Sequence, residues 1–373
     1  MPRGTGAGDV LGRRALGRAT LERQLLLRRW DLPVTEAVRR LAGLNAQDPE
    51  PSYIGLWARL AGFEHDALTR ALYDRSVVRS TLLRGTQHLV TAADYLAWRP
   101  LLQPVLDRIQ RGGFGRATAG VDLEALAASA RQLLAERPLT RPELGRLLAE
   151  QWPGHEPRAL AWSAQYLLPL VHPPPSGTWG RHGPTPYVLA ESWLGRPLPA
   201  ASSPEGMVER YLAAFGPASV NDLQAWSGLT RLREPVERLG AELRRFRDGH
   251  GRQLYDLPDA PRPDPDTPAP ARFLPAVDNL LLAHDDRTRV VTDEHRRRVC
   301  VGAVVEPTVL VDGQVVAVWR IARERGGAVL EVELLTRLSG AGRTSVAQEG
   351  MRLLDFAAAD AGGRDVRVAA PAS

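Results

Sequence analysis

The 373-residue sequence predicts an α+β chain of three tandem winged-helix repeats followed by a β-rich C-terminal domain. Three observations carry this. Two stretches open alike, "PLTRPELGRLLAE" at 138–150 and "GPASVNDLQAWSGL" at 216–229. Each is followed by a second helical stretch and a Gly-containing pair of strand-like runs. A six-proline segment, "LPDAPRPDPDTPAP", then separates these repeats from a region of alternating apolar residues.

The segments divide at 1–18, a disordered N-terminus; 19–120, 121–200 and 201–257, the three repeats; 258–270, a linker; and 271–373, the C-terminal domain. In the first repeat Thr35 caps "TEAVRRLAGL", "SYIGLWARLAGF" and "HDALTRALYDR" are helical, and "VVRSTLLRGTQHLVT" alternates as a hairpin around Arg84 and Gly85. The connection from Asn45 to Pro51 is longer than an ordinary helix-turn-helix turn. In the second and third repeats, Thr140 with Glu143 and Ser219 with Asp222 put a hydroxyl three residues before a carboxylate, close to a capping box. Apolar residues at helical spacing follow: Leu144, Leu147 and Leu148 in one, Leu223, Trp226 and Leu229 in the other. The wings are "VHPPPSGTWGRHGPTPYVLAESWLG" and "RRFRDGHGRQLYDLP", the latter turning at "DGHG". Beyond the linker, Asp312 and Gly313 supply a type I′ turn, "ERGGAVLEVELL" a further hairpin, and "RTSVAQEGMRLLDFAAADA" a closing amphipathic helix.

Composition narrows function. The chain is 44% hydrophobic and 24% charged, without an apolar run long enough to span a membrane or a secretory h-region. Cys300 is the single cysteine, which rules out an internal disulfide and fits a reducing cytoplasm. No lysine occurs, so all 48 basic positions are arginine and the net charge is +5. The abundance of Ala, Gly, Pro and Arg favours G+C-rich codon usage as the cause; phosphate binding by guanidinium is the functional alternative. Either way, Schiff-base chemistry on a lysine is excluded. The eight histidines lack metal-ligand spacing, so no metal and no cofactor is expected. There is no phosphate-binding P-loop and no GxSxG elbow, and the "RGGFGRATAG" stretch at 111–120 reads as a flexible connector. Asp285, Asp286, Asp293 and Glu294 flank arginines and read as a solvated salt-bridge cluster.

The stretch "GLNAQDP" at 43–49 places two amides, Asn45 and Gln47, around one alanine. On a helix they would point roughly 200° apart; on extended chain they share a side. Pro49 biases Asp48 away from helix and Gly43 weakens the helix before it, so the stretch is expected to be extended. Two readings remain. The amides converge on a substrate, or Asn45 is a left-handed helix C-cap and Gln47 a turn hydrogen-bonder.

The stretches "LAGLNAQDPEPSYIGLWARL", "VVRSTLLRGTQHLVTAADYLAWRPLLQP", "PPPSGTWGR", "PASVNDLQAWSGL", "FLPAVDNLLLAHDDR" and "PTVLVDGQVVAVWRI", in this order, resemble the winged-helix family that contains the bacterial DNA glycosylases AlkZ and YcaQ. The AlkZ branch carries Gln, an aliphatic residue and Gln, and the YcaQ branch ends in Asp. Here Asn45, Ala46 and Gln47 match at the second amide and depart at the first.

The resemblance implies hydrolytic removal of alkylated purines, above all bulky N7-alkylguanine adducts or cross-links left by natural-product genotoxins, with Asn45 and Gln47 as catalytic pair. It also implies a concave DNA-binding surface, since a bulky adduct could not enter a fitted pocket. Arg79 and Arg84 on the first wing, Arg181 and His182 on the second, and Arg287 beyond the linker are the candidate backbone contacts. His88 lines the channel or sits in the core, Trp179 is the tryptophan expected at DNA, and Trp57, Trp98, Trp162 and Trp226 are expected in the core. The partner is double-stranded DNA carrying alkylated purines, and the expected protein is a cytoplasmic, nucleoid-associated monomer. A non-enzymatic winged-helix regulator or lesion binder is the rival reading.

Overall fold

The computed structural model describes residues 9–200, 202–302, 304–324 and 326–371. It is a mixed α+β chain, and no helix among these residues is long and apolar enough to cross a membrane.

The N-terminus corrects the expectation of disorder over 1–18: residues 1–8 lie outside the described residues, but 9–18 are ordered. Strand Val10–Leu11 pairs in parallel with Arg244–Asp248, and helix Arg13–Arg23 follows. Its arginines are the cause. Arg23 places two nitrogens 2.7 and 2.9 Å from the Asp256 carboxylate with both side chains buried. Arg14 and Arg18 donate to the carbonyls of Pro265 and Thr267, each at 2.7 Å, and both reach Asp312. The proline-rich stretch is thereby strapped to the helix through its carbonyls, the backbone groups that proline retains.

In the segment expected to form the first repeat, helix Val34–Arg40 has Pro33, not Thr35, at its cap position; the Thr35 hydroxyl instead lies 3.3 Å from that of Ser76. Ala42 and Gly43 end the helix with φ of 53° and 90°. A Cβ on Gly43 would stand 2.7 Å from Val90 Cγ1, so only glycine fits. Strand Leu44–Asn45 follows, and Asp48, extended at φ −109° and ψ 157°, introduces helix Pro49–Trp57. Helix His65–Tyr73 leads to strands Val77–Thr81 and Gln87–Thr91, turning at Arg84 (φ 54°) and Gly85 (φ 70°).

The second repeat region runs through helices Arg141–Gln151 and Pro157–Leu167 to strands Leu170–His172 and Pro186–Leu189. The third runs through Val220–Ser227 and Arg233–Leu239 to Arg244–Asp248 and Gln253–Asp256. Both expected capping boxes form. The 111–120 stretch is not simply a connector: helix Gln103–Phe114 continues through Gly112 and Gly113, and buried Gln110 ties it to Thr118 and Ser163 at 3.2 and 3.1 Å.

The first two hairpins are not separate wings. They merge into one six-stranded sheet ordered Leu44–Asn45, Gln87–Thr91, Val77–Thr81, Leu170–His172, Pro186–Leu189, Leu139–Thr140. Arg79 pairs with His172 and Ser80 with Val171. Strand alternation then puts Arg79, Thr81, Gln87 and His172 on one face, and Asn45, His88 and Ser80 on the other.

Beyond the linker, a five-stranded sheet is ordered Arg272–Leu274, Thr308–Val311, Gln314–Glu324, Gly327–Leu334, Gly363–Ala369. Asp312 and Gly313, at φ 49° and 78°, make the expected turn. Helix Gly340–Ala357 does not close the chain: it crosses over to strand Gly363–Ala369, which lies parallel to Gly327–Leu334. That edge strand, "GRDVRVA", interleaves its few apolar residues with charges.

One core runs from Trp57 and Phe63 of the first repeat into Phe273, Trp319 and Leu353; a second joins Val78, Leu82 and Trp98 to Tyr211, Phe215 and Trp226. The segment 19–120 is thus packed on both sides. Arg59 and Asp278, both buried, bridge the first junction with two contacts of 2.9 Å. Asp278→Ala strands a buried guanidinium, and denaturant unfolding is expected to show a loss of about 3–5 kcal/mol, against less than about 1 kcal/mol for an exposed pair.

Candidate active site

Gln47 is exposed and lines a recess of ≈ 280 Å³ together with Gly85, Thr86, Gln87, Trp162, Gln165 and Tyr166. Its backbone is held by Arg79. The buried guanidinium donates from Nε to the Ala46 carbonyl and from Nη2 to the Gln47 carbonyl, both at 2.8 Å, and from Nη1 to Ser176 Oγ at 2.9 Å. Ser176 belongs to the loop between the second pair of strands, so one side chain fastens the amide stretch to the neighbouring hairpin. Gly177, at φ 81°, lets it pass: a Cβ there would stand 2.8 Å from Arg79 Cδ. Burial lowers the Arg79 pKa to about 10, with Asp48 acting in the opposite sense, so the clamp stays charged at neutral pH.

Asn45 is 6% exposed and extended, not a left-handed cap; Ala42 and Gly43 fill that role. Its Oδ1 accepts from the Gln47 backbone N–H at 3.3 Å, an Asx-type turn, and its carbonyl accepts from Ser52 Oγ at 3.0 Å. The structure therefore joins Asn45 to the backbone of Gln47 and leaves the Gln47 side chain at the recess.

Helix Pro157–Leu167 supplies the opposite wall. Trp162, expected in the core, is half-buried at the recess. Its ring lies 5.8 Å from Phe114 at 14° and 5.8 Å from Tyr166 at 23°, with the Arg141 guanidinium 3.8 Å over it. Gln165 accepts from Arg141 Nη2 at 2.9 Å and from the Tyr187 hydroxyl, and donates to Thr81 Oγ1 at 2.7 Å. On the same sheet face, Gln87 Nε2 lies 3.0 Å from His172 Nε2. Burial, then Arg79, holds the His172 pKa down to about 3, so the imidazole is neutral. Helical spacing alone marked Trp162 as an apolar-face residue; that Trp162 and Tyr166 line the recess beside Gln47 depends on sheet pairing absent from sequence periodicity.

Four expected DNA contacts turn inward. Arg79 is the clamp just described. Arg84 donates to the Trp226 carbonyl, bracing the first hairpin against helix Val220–Ser227; burial, then Arg287, lowers its pKa to about 10. His88 is fully buried with Nδ1 3.0 Å from the Thr86 carbonyl, and its pKa falls to about 3 through burial and Arg84. It is a core histidine. Trp179 packs 4.3 Å from His65, 5.6 Å from Tyr53 and 5.6 Å from Phe356, an aromatic lock rather than a free surface ring. Arg181 and His182 remain exposed, His182 lying 3.0 Å from Glu50. Arg287 is half-buried and donates to the His284 carbonyl at 3.3 Å. Among the described residues no cluster of His, Cys, Asp and Glu could hold a metal.

With this geometry in place, the comparisons with known proteins converge. The family model described as DNA glycosylase AlkZ-like matches residues 38–356. An interstrand DNA cross-link repair glycosylase of Streptomyces sahachiroi is 27% identical over 321 residues, covering 81% of this chain and 85% of that protein. The solved structure of the Streptomyces sahachiroi DNA glycosylase AlkZ superposes with a TM-score of 0.78 at 22% identity, over 96% of this chain and all 100% of the other, a likeness of fold.

Two outcomes follow from the site's construction. Arg79→Met removes the donors to Ala46 and Gln47, and amide hydrogen exchange over 45–48 is expected to accelerate while the helices of the third repeat stay protected. His88, His172 and His284 all have pKa values held down to about 3, below the unfolded value of about 6.5. The unfolded chain then binds more protons, so stability is intact above about pH 6.5 and is lost as pH falls toward 3. Denaturation measured between pH 6.5 and 5 should show this decline, and His172→Gln should lessen it.

Proposed function

The chain belongs to the AlkZ-like DNA glycosylase family, and we propose that it is a monofunctional glycosylase that hydrolyses the N-glycosidic bond of N7-alkylated purines in duplex DNA. Membership in this family supports an enzyme and favours it over the regulator reading. The observation that carries the proposal is Gln47, whose amide stands at the rim of an aromatic-lined recess on backbone fixed by Arg79.

The chemistry suits an amide. A purine alkylated at N7 already carries positive charge, so it leaves neutral and needs little proton donation. What remains is to place a water at the sugar carbon and to stabilise oxocarbenium charge, which an oriented amide oxygen serves without titrating. The Gln47 side chain is the assigned catalytic group; Asn45 is assigned to the same motif, its Oδ1 shaping the turn that presents Gln47. The lack of lysine leaves hydrolysis rather than lysine-dependent strand scission.

The three helix and hairpin units are read as winged-helix modules that together offer a concave surface to DNA, acting as a monomer. Arg181, His182 and the exposed Val301 and Val304 on the strands after Arg296, Arg297 and Arg298 are surfaces proposed for duplex contact. The substrates proposed are bulky N7-alkylguanine adducts and, by analogy with the Streptomyces sahachiroi relative, interstrand cross-links, in repair or in self-resistance of a genotoxin producer.

Release of modified base from alkylated duplex DNA is the test. Gln47→Ala is expected to lower the single-turnover rate by about 100-fold or more; full retention of rate would remove Gln47 from the mechanism. With His172 at about 3 and Arg79 at about 10, kcat/KM is expected to stay flat from roughly pH 5 to 9. A bell centred near 7 would instead demand a titrating acid or base.

A further inference from the structure

The recess beside Gln47 has features that positioning water does not require. Phe114, Trp162 and Tyr166 form a three-ring cluster, Trp162 lying 5.8 Å from each of the others at 14° and 23° and Phe114 lying 6.2 Å from Tyr166 at 36°, and Trp162 and Tyr166 face the recess. Arg141 lies over Trp162 and is bonded to Gln165, so the Trp162 ring is held in place in advance.

Gln87 adds a polar group. The Pro186 carbonyl oxygen, 3.1 Å from His172 Nδ1, can only accept, so Nδ1 carries the proton and Nε2 presents a lone pair. Gln87 Nε2 must then donate to it, across 3.0 Å. This fixes which way the amide points, and its Oε1 is left buried with no hydrogen-bond partner among the described residues. A buried acceptor without a donor is a cost that a bound N–H would offset. Because His172 is neutral at physiological pH, this orientation does not change with pH.

We propose that the recess binds one planar, N–H-bearing heteroaromatic ring system, the alkylated purine base itself, stacked against Trp162 and Tyr166 and donating to Gln87 Oε1. At ≈ 280 Å³ it lies just under the roughly 300–1,000 Å³ of drug-sized pockets, a size that suits a single ring system rather than a base with a polycyclic substituent. A bulky substituent would remain outside, on the open surface. The choice of purine rests on the glycosylase reading; the ring site itself rests on the aromatic rings that face the recess and on the unpaired amide oxygen.

Isothermal titration of the full chain with free 7-methylguanine tests this. Saturable one-to-one binding is expected, weakened about tenfold by Trp162→Ala, weakened also by Gln87→Leu, and largely kept by Trp162→Phe, with melting curves confirming that each variant is folded. Absence of saturable binding at millimolar base, or Trp162→Ala binding as tightly as the parent, would overturn it. Base release from alkylated duplex, run in parallel, separates the two readings. Excision without binding of the free base sinks the ring site and leaves the glycosylase; binding without excision sinks the glycosylase and leaves the site.

Discussion

The hold of Arg79 on the carbonyls of Ala46 and Gln47 is the interaction on which the site depends. A buried guanidinium is tolerated only when its donors are satisfied, and here the acceptors are two consecutive carbonyls and the Ser176 hydroxyl. The arrangement requires Arg79 to lie opposite His172, hence the merging of two hairpins into one sheet. It requires glycine at 177, where the side chain passes. Sheet register, a glycine and a three-residue motif are thus parts of one constraint, and Gln47 is the exposed side chain that it positions.

Much of the architecture was legible in the sequence because it is encoded locally. The capping boxes at Thr140 and Ser219, the Asp312–Gly313 turn and the extended backbone before Pro49 each need only neighbouring residues. The site was half legible. Gln47 could be singled out, but the partners of its amide could not, since Gln87, Trp162, Gln165 and Tyr166 reach the recess through long-range pairing. Arginine misled most. In a chain without lysine every cation looks alike, and Arg18, Arg23, Arg59 and Arg79 are buried by partners far away in sequence. Trp162 and Trp179, both half-buried, departed from expectation for a similar reason: helical spacing pointed one to the core and flanking Gly and Arg pointed the other outward. Packing against His65 and Phe356 decided the second case.

The groups surrounding the recess share an insensitivity to pH. Amides do not titrate, His172 is held neutral by burial, and Arg79 remains charged. Such a site suits the proposed departure of an already cationic base, in which orientation and fixed dipoles matter more than proton transfer. The same burial places the pH dependence in stability instead, through histidines that must be protonated as the chain unfolds. Between about pH 6.5 and 5, stability is therefore expected to change while the chemistry is not.

A double-mutant cycle on single-turnover base release from alkylated duplex DNA tests the central claim most directly, comparing the parent with Arg79→Met, Gln47→Ala and the pair combined. If Arg79 acts by positioning Gln47, the double variant is no slower than Gln47→Ala alone, because the clamp has nothing left to position. Losses that simply multiply would contradict the account, since they would show Arg79 and Gln47 contributing independently.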